Sequence, residues 1–203
     1  MSEVMAIGAR RNNAELMLDC QQLGYLDGLV LDATYGLGRF WSLTIDLPHA
    51  AIDLDPARDV TVADFRQLPF AANKFDTVVL DPPYKLNGTS TGKGVSASDA
   101  DYGVSGKYVN VAQRHGLICD GIVECLRVTK PGGYLLAKCQ DQVCSGRVHW
   151  QTHIFTRHAA ARGAMLVDML HVQGHREQPP GRRQLHARRD YSTLLVLQVR
   201  DGR

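Results

Sequence analysis

The stretch Val78-Val79-Leu80-Asp81-Pro82-Pro83-Tyr84 decides how the rest of the chain is read. Its three apolar residues suit a buried strand. The two prolines stop that strand, because neither can donate to a sheet ladder. The strand therefore runs into a rigid, acceptor-rich turn with an aromatic ring beside it. Such a turn is suited to hold a planar ring by its face, while Asp81 and the Pro82 carbonyl accept hydrogens from an amino group on the ring's edge.

Upstream, three more apolar runs end in carboxylates. Leu29-Val30-Leu31-Asp32 opens into Ala33-Thr34-Tyr35-Gly36-Leu37-Gly38, and Arg39-Phe40-Trp41-Ser42-Leu43 is expected to start a helix. A strand, a glycine turn and a helix let backbone approach a ligand closely. The full G-x-G-x-x-G pattern is absent, so the turn alone suits plain strand–helix packing equally well. Ala50-Ala51-Ile52-Asp53 lies roughly 20 residues further on, where an acid meets ribose hydroxyls in nucleotide-binding folds. Asp53 sits closest to that role; Asp55 is a second candidate, or a cap for the next segment. Val60-Thr61-Val62-Ala63-Asp64-Phe65 reads as a third strand. Four strands that each end in an acid and a loop imply one shared rim of carboxyl-terminal strand ends, the place where open parallel sheets bind ligands.

Downstream, residues 86–107 are rich in Gly, Ser, Thr and Asp and too long for an ordinary connection. They suggest a mobile lid following the motif, or else a surface insertion. A helix is expected over Tyr108–Val128, then a strand at Tyr134–Cys139, a helix near Trp150–Arg162, and strands at Met165–Val172 and Tyr191–Val199. The connection 175–190 holds five arginines against two acids. Arg182, Arg183, Arg188 and Arg189 are candidates for phosphate contact, with a solvated face as the plain alternative. At the other end, Asn12 or Asn13 is placed to cap a helix ending near Leu23, within a helical segment 1–27.

These elements make one α/β domain over residues 1–203: a mostly parallel seven-stranded sheet, an antiparallel last strand, and helices on both faces. The net charge of +2 does not announce a polyanionic partner, so any basic footprint must be local. The five cysteines form no C-x-x-C pair and read as reduced, intracellular thiols. His149, His153 and His158 fall near helical spacing, but no metal site is expected. Neither a signal peptide nor an apolar run of the ~20 residues a membrane span needs is visible, so a cytoplasmic protein is expected.

Taken in order, Asp32-Ala33-Thr34-Tyr35-Gly36-Leu37-Gly38, Asp53, Asp64-Phe65-x-x-Leu68-Pro69-Phe70 and Asp81-Pro82-Pro83-Tyr84 resemble the Rossmann-like, S-adenosylmethionine-dependent amino-methyltransferases of nucleic acids. The likeness covers about residues 28–140. It implies that Asp32, Thr34, Gly36 and Gly38 border the cofactor's methionine part and that Asp53 holds its ribose. Asp64 would accept from the adenine amino group and Phe65 would flank that ring. Asp81, Pro82, Pro83 and Tyr84 would form the catalytic turn, with Tyr84 stacked on the target base. One departure stands out: the first motif often reads F-x-G-x-G, and here Thr34 takes the aromatic place, with Tyr35 beside it. The implied activity is methylation of an exocyclic amino group, adenine N6 or cytosine N4 in DNA. The alternatives are adenine N6 or guanine N2 in RNA, or a non-catalytic nucleic-acid-binding subunit on the same fold.

Overall fold

In the computed structural model, residues 8–44, 46–86, 110–174 and 185–201 are described. Helix α1 (Asn13–Gln22) starts where Asn12 caps it, the Asn12 side chain accepting from the Glu15 amide at 2.9 Å. Strand β1 (Val30–Asp32) follows, then a single 3-10 turn (Arg39–Trp41), β2 (Ala50–Asp53), β3 (Thr61–Val62) and β4 (Phe75–Leu80). Helix α2 (Val111–Val128) opens with a capping box in which Asn110 and Gln113 satisfy each other's amides. After it come β5 (Thr129–Cys139), a hairpin of β6 (Gln142–Cys144) and β7 (Arg147–His149), helix α3 (Gln151–Ala160), β8 (Ala164–Gln173) and β9 (Tyr191–Val199).

The main sheet has seven strands in the order β3-β2-β1-β4-β5-β9-β8. Strand β9 is antiparallel to both its neighbours, while β1 to β5 pair in parallel. This is the mostly parallel α/β sheet read from the apolar runs. The centre of the sheet is buried on both faces, and alternate residues serve different layers. Val78, Leu80, Leu135 and Ala137 pack beneath α2 and α3 with Ile118, Ile122 and Phe155. Val79 and Leu136 face the opposite layer with Leu16, Met17, Phe40 and Trp41. Burying one such side chain fully contributes about 1.5–3 kcal/mol.

Several boundaries differ from the expected ones. The helix expected from Arg39 is only the 3-10 turn. Between Gly38 and β2 lie Asp46, in the left-handed region at φ 57°, and Pro48, and neither continues a helix. The third strand keeps only Thr61 and Val62, because the Asp64 carboxylate accepts from the Arg66 amide at 2.8 Å and turns the chain. The β6–β7 hairpin has no counterpart among the expected elements. Of the expected lid, residues 86–107, all but Leu86 lie outside the described residues, as do residues 175–184 of the arginine connection.

Candidate active site

The carboxyl ends of β1, β2 and β4 gather the acids. Asp32 is buried and grips its own turn: Oδ1 accepts from the Thr34 amide at 2.8 Å and Oδ2 from Trp41 Nε1 at 2.6 Å. Burial pushes its pKa up to about 7, against those two donors and with some help from the negative charges of Asp81 and Asp53. Beyond it, Gly36 and Gly38 both adopt positive φ. At Gly38 a Cβ would also lie 2.6 Å from the Tyr35 hydroxyl, so the Tyr35 side chain would have to shift. Asp53 anchors this turn from the next strand, Oδ2 accepting from the Gly36 amide at 2.7 Å and Oδ1 from the Asp55 amide at 2.8 Å.

A slot opens between β2 and the turn after β3, bordered by Asp53, Leu54, Asp64, Phe65, Pro83 and Leu117. Its walls are apolar and two carboxylates stand at its edge. Asp64 is held by Arg66, whose side chain pulls the Asp64 pKa below the usual carboxylate range. The Phe65 ring lies against Gly121 of α2. Thr34 also borders the slot and is shared with a second cavity of about 220 Å³, lined by Asn13, Tyr35, Gly36, Arg39, Phe40 and Asp81.

Asp81 follows β4 directly, beside that cavity. Its amide donates to the Thr34 hydroxyl at 2.7 Å. Its carboxylate Oδ1 is sealed from solvent and has no hydrogen-bond partner among the described residues. Burial raises the Asp81 pKa, while Lys138 and then Lys85 lower it. Lys138 is adjacent because β4 and β5 are in parallel register, Leu80 opposite Ala137. It is only 4% exposed, and its ammonium donates to Asn13 Oδ1 and lies 5.2 Å from the Phe40 ring centre. Burial lowers the Lys138 pKa, and Asp81 partly restores it.

The prolines of the turn are buried, and the Pro82 carbonyl accepts from the Tyr84 amide at 2.6 Å. That bond occupies part of an acceptor expected to serve a ligand; a carbonyl retains a second lone pair. Tyr84 is half-buried against the core under α2. Two buried glutamines, Gln142 and Gln151, donate to its carbonyl at 2.9 and 2.8 Å. Gln151 also accepts from the Gln140 amide at 3.1 Å, and Gln140 donates to the Tyr191 carbonyl at 2.8 Å. The turn is thus tied to α3, the hairpin and the start of β9.

Of the four arginines singled out, Arg182 and Arg183 lie outside the described residues. Arg188 is exposed; Arg189 lies over the Trp150 ring at 4.3 Å, and Trp150 is 47% exposed. Among the described residues no cluster suited to a metal appears, and no helix is long and apolar enough to cross a membrane. Lys138, Asn13, Arg39, Trp150 and the three glutamines border the candidate site or its turn, and the motifs do not reveal them. Only Lys138 carries a signal, as a cation inside an apolar strand.

No family model and no curated protein matches the chain. Solved structures do. The N-methyltransferase NodS of Bradyrhizobium japonicum is 15% identical, with 93% of this chain and 94% of that one aligned at a TM-score of 0.56. BH2331 of Bacillus halodurans, provisionally described as a methyltransferase, is 12% identical over 91% and 99% of the two chains, TM-score 0.58. The [4+2]-cyclase SpnF is 15% identical over 93% and 82%, TM-score 0.56. These likenesses define a Rossmann-like methyltransferase fold. A cyclase among them shows that the fold does not fix the reaction, which has to be argued from the site.

Proposed function

We propose that the chain transfers a methyl group from S-adenosylmethionine to an exocyclic amino group of a nucleobase, adenine N6 in DNA before cytosine N4. The observation that carries this reading is Asp81 Oδ1, a sealed acceptor with no partner among the described residues, followed directly by two prolines and an aromatic residue. A buried acceptor left unpaired costs about 1–3 kcal/mol, and such groups persist where a ligand supplies the missing donor.

The residues fit the cofactor. The apolar slot with Asp64 at its edge suits adenine against Phe65, and Asp53 suits the ribose. The Gly36–Gly38 turn, beside Tyr35, suits the amino-acid end. When bound, the cofactor supplies an electrophilic methyl group on a sulfonium.

The chain's own part is positioning. An exocyclic amine is a poor nucleophile because its lone pair is delocalised into the ring. Hydrogen bonds from that amine to the Asp81 carboxylate and to the Pro82 carbonyl favour a pyramidal nitrogen with its lone pair free. Holding reactants in line supplies much of the acceleration, and no base need act before transfer. Burial raises the Asp81 pKa and Lys138 opposes that rise, which favours the accepting carboxylate form. Tyr84 offers a ring for a base taken out of its stack. The Trp150–Arg189 pair near the same rim adds an exposed aromatic face with a cation, a combination suited to unpaired nucleic acid.

The test is incubation with labelled S-adenosylmethionine and duplex DNA, single strands or structured RNA, followed by nucleoside analysis. Methylated adenine or cytosine from DNA is expected, and the absence of both across varied sequences would sink the reading. Asp81→Ala is expected to abolish transfer and to leave the cofactor Kd, measured by calorimetry, within about threefold.

A further inference from the structure

Asn13 and Arg39 border two cavities. One is the Asp81 cavity; the other, of about 540 Å³, lies where the start of α1 meets the 3-10 turn. Arg11, Arg39 and Lys138 line the second, and no carboxylate does. Neither guanidinium pairs with a carboxylate among the described residues. Exposed arginines are ordinarily solvated, so these two alone would mean little. Lys138 differs, being 4% exposed with its ammonium on the neutral Asn13 side chain and near the Phe40 ring. An ammonium has three protons to donate. The first turn of α1 contributes Asn13 and Ala14 to the same wall, at the positive end of the helix.

A buried cation, two guanidiniums and a helix N-terminus around one open cavity make a strong receptor for a tetrahedral anion. The cavity adjoins the one that Asp81 borders, and Lys138 is its cross-strand neighbour. We infer that Arg11, Arg39 and Lys138 form a subsite for a phosphate group of the methyl acceptor, beside the amine that Asp81 receives. This rests on the amino-methyl transfer proposed above. The phosphate is either a phosphodiester of a polynucleotide or the terminal phosphate of a mononucleotide. Both present non-bridging phosphate oxygens, two on the diester and three on the monoester.

Two measurements on the full chain separate this inference from the reading beneath it. Inorganic phosphate is titrated while backbone amide NMR shifts are followed. Saturable shifts are expected at residues 11–14 and 39–43, and their loss in Arg11→Gln/Arg39→Gln. No saturable shift in the parent chain would overturn the subsite. Methylation is then compared for an oligonucleotide, a nucleoside 5′-phosphate and the bare nucleoside. Arg11→Gln is expected to lower the kcat/KM ratio of phosphorylated acceptor to nucleoside about 10- to 100-fold. A fall for the oligonucleotide alone assigns the phosphodiester, and a fall for both assigns the terminal phosphate. An unchanged ratio would overturn the subsite. So would a tenfold weaker S-adenosylmethionine Kd in Arg11→Gln, because the cations would then serve the cofactor's carboxylate. If no acceptor is methylated while phosphate still binds at Arg11, the transfer reading fails and the anion site stands.

Discussion

Replacing Gly121 with alanine should close the slot beside Asp53 and Asp64 without touching a polar group in it. Glycine inside a helix costs about 1 kcal/mol relative to alanine, so its presence in α2 calls for a packing reason. A Cβ at Gly121 would stand 2.3 Å from Phe65 Cδ2, and ordinary contact begins at 3.4 Å, so the ring must retreat by about 1.1 Å. Phe65 is 7% exposed and shares its core with Leu68, Ile118 and Ile122, which block movement inward. The open direction is the slot that Phe65 borders with Leu117 and Pro83. Overpacking costs about 1–3 kcal/mol, offset by the gain of about 1 kcal/mol in helix propensity. The net loss is therefore about 0–2 kcal/mol, or a Tm lower by up to roughly 8 °C. Cofactor binding should suffer more, at least tenfold, because a slot narrowed by about 1 Å cannot take an aromatic ring. Gly116→Ala is the control on the same helix, since nothing lies within 4 Å of its Cβ. It should raise Tm by about 2–4 °C and leave cofactor affinity unchanged. Thermal melts and calorimetric titration with S-adenosylmethionine read both effects. If Gly121→Ala binds the cofactor like the parent chain, Phe65 does not flank it and the slot is assigned wrongly.

Asp32, pushed up to about 7, keeps its proton when folded at pH values where the unfolded chain, near the ordinary 3.8, has lost it. The native state then binds more protons between about pH 4 and about pH 7, so this group's stabilisation falls as pH rises through that window. Asp32→Asn should flatten that slope in urea unfolding, and an unchanged slope would remove Asp32 as its source. Arg188→Gln/Arg189→Gln should make the logarithmic salt dependence of oligonucleotide binding shallower by roughly 0.7–0.9 for each phosphate no longer neutralised. Fluorescence anisotropy over a KCl series reads this, and an identical slope would leave both arginines facing solvent. Gln151→Met deprives the Gln140 amide of its acceptor and the Tyr84 carbonyl of one of its two glutamine donors. It should cost about 1–3 kcal/mol in urea unfolding; a loss under about 0.5 kcal/mol would mean water replaces the side chain.

The central strands β1, β4, β5 and β9 are legible because each carries a contiguous apolar run, and where a sheet is buried on both faces that run is the signal. Strand β9 spans the expected Tyr191–Val199, and Asn12, one of the two expected caps, starts α1. The segment after Gly38 is not legible. Phe40 and Trp41 sit there in a helix-like pattern, but their burial comes from packing against α1 and the sheet, without a helix to carry them. The glutamine cluster is invisible for a related reason. Gln140, Gln142 and Gln151 look like surface polar residues until the fold buries the Tyr84 carbonyl and the Gln140 amide between them. Lys138 looks like a solvated rim lysine, and a strand covered on both faces has no solvated side to offer it.

Thr34 shows what a departure from a familiar pattern can mean. An aromatic residue there could not accept the Asp81 amide hydrogen that Thr34 Oγ1 accepts at 2.7 Å. Leaving such an amide unpaired would cost about 1–3 kcal/mol. The Thr34 amide meanwhile donates to Asp32 at 2.8 Å, so one residue ties the end of β1 to the end of β4. The turn expected to meet the cofactor and the turn expected to meet the acceptor are thereby held at a fixed spacing. In-line transfer depends on that spacing more than on any single contact. The aromatic surface survives the substitution: Tyr35 and Phe40 both border the Asp81 cavity. The hydrogen bond occupies the Asp81 backbone and leaves its Oδ1 without a partner among the described residues. In the proposed transfer, the Asp81 backbone thus fixes the turn and its carboxylate is left to receive the acceptor amine.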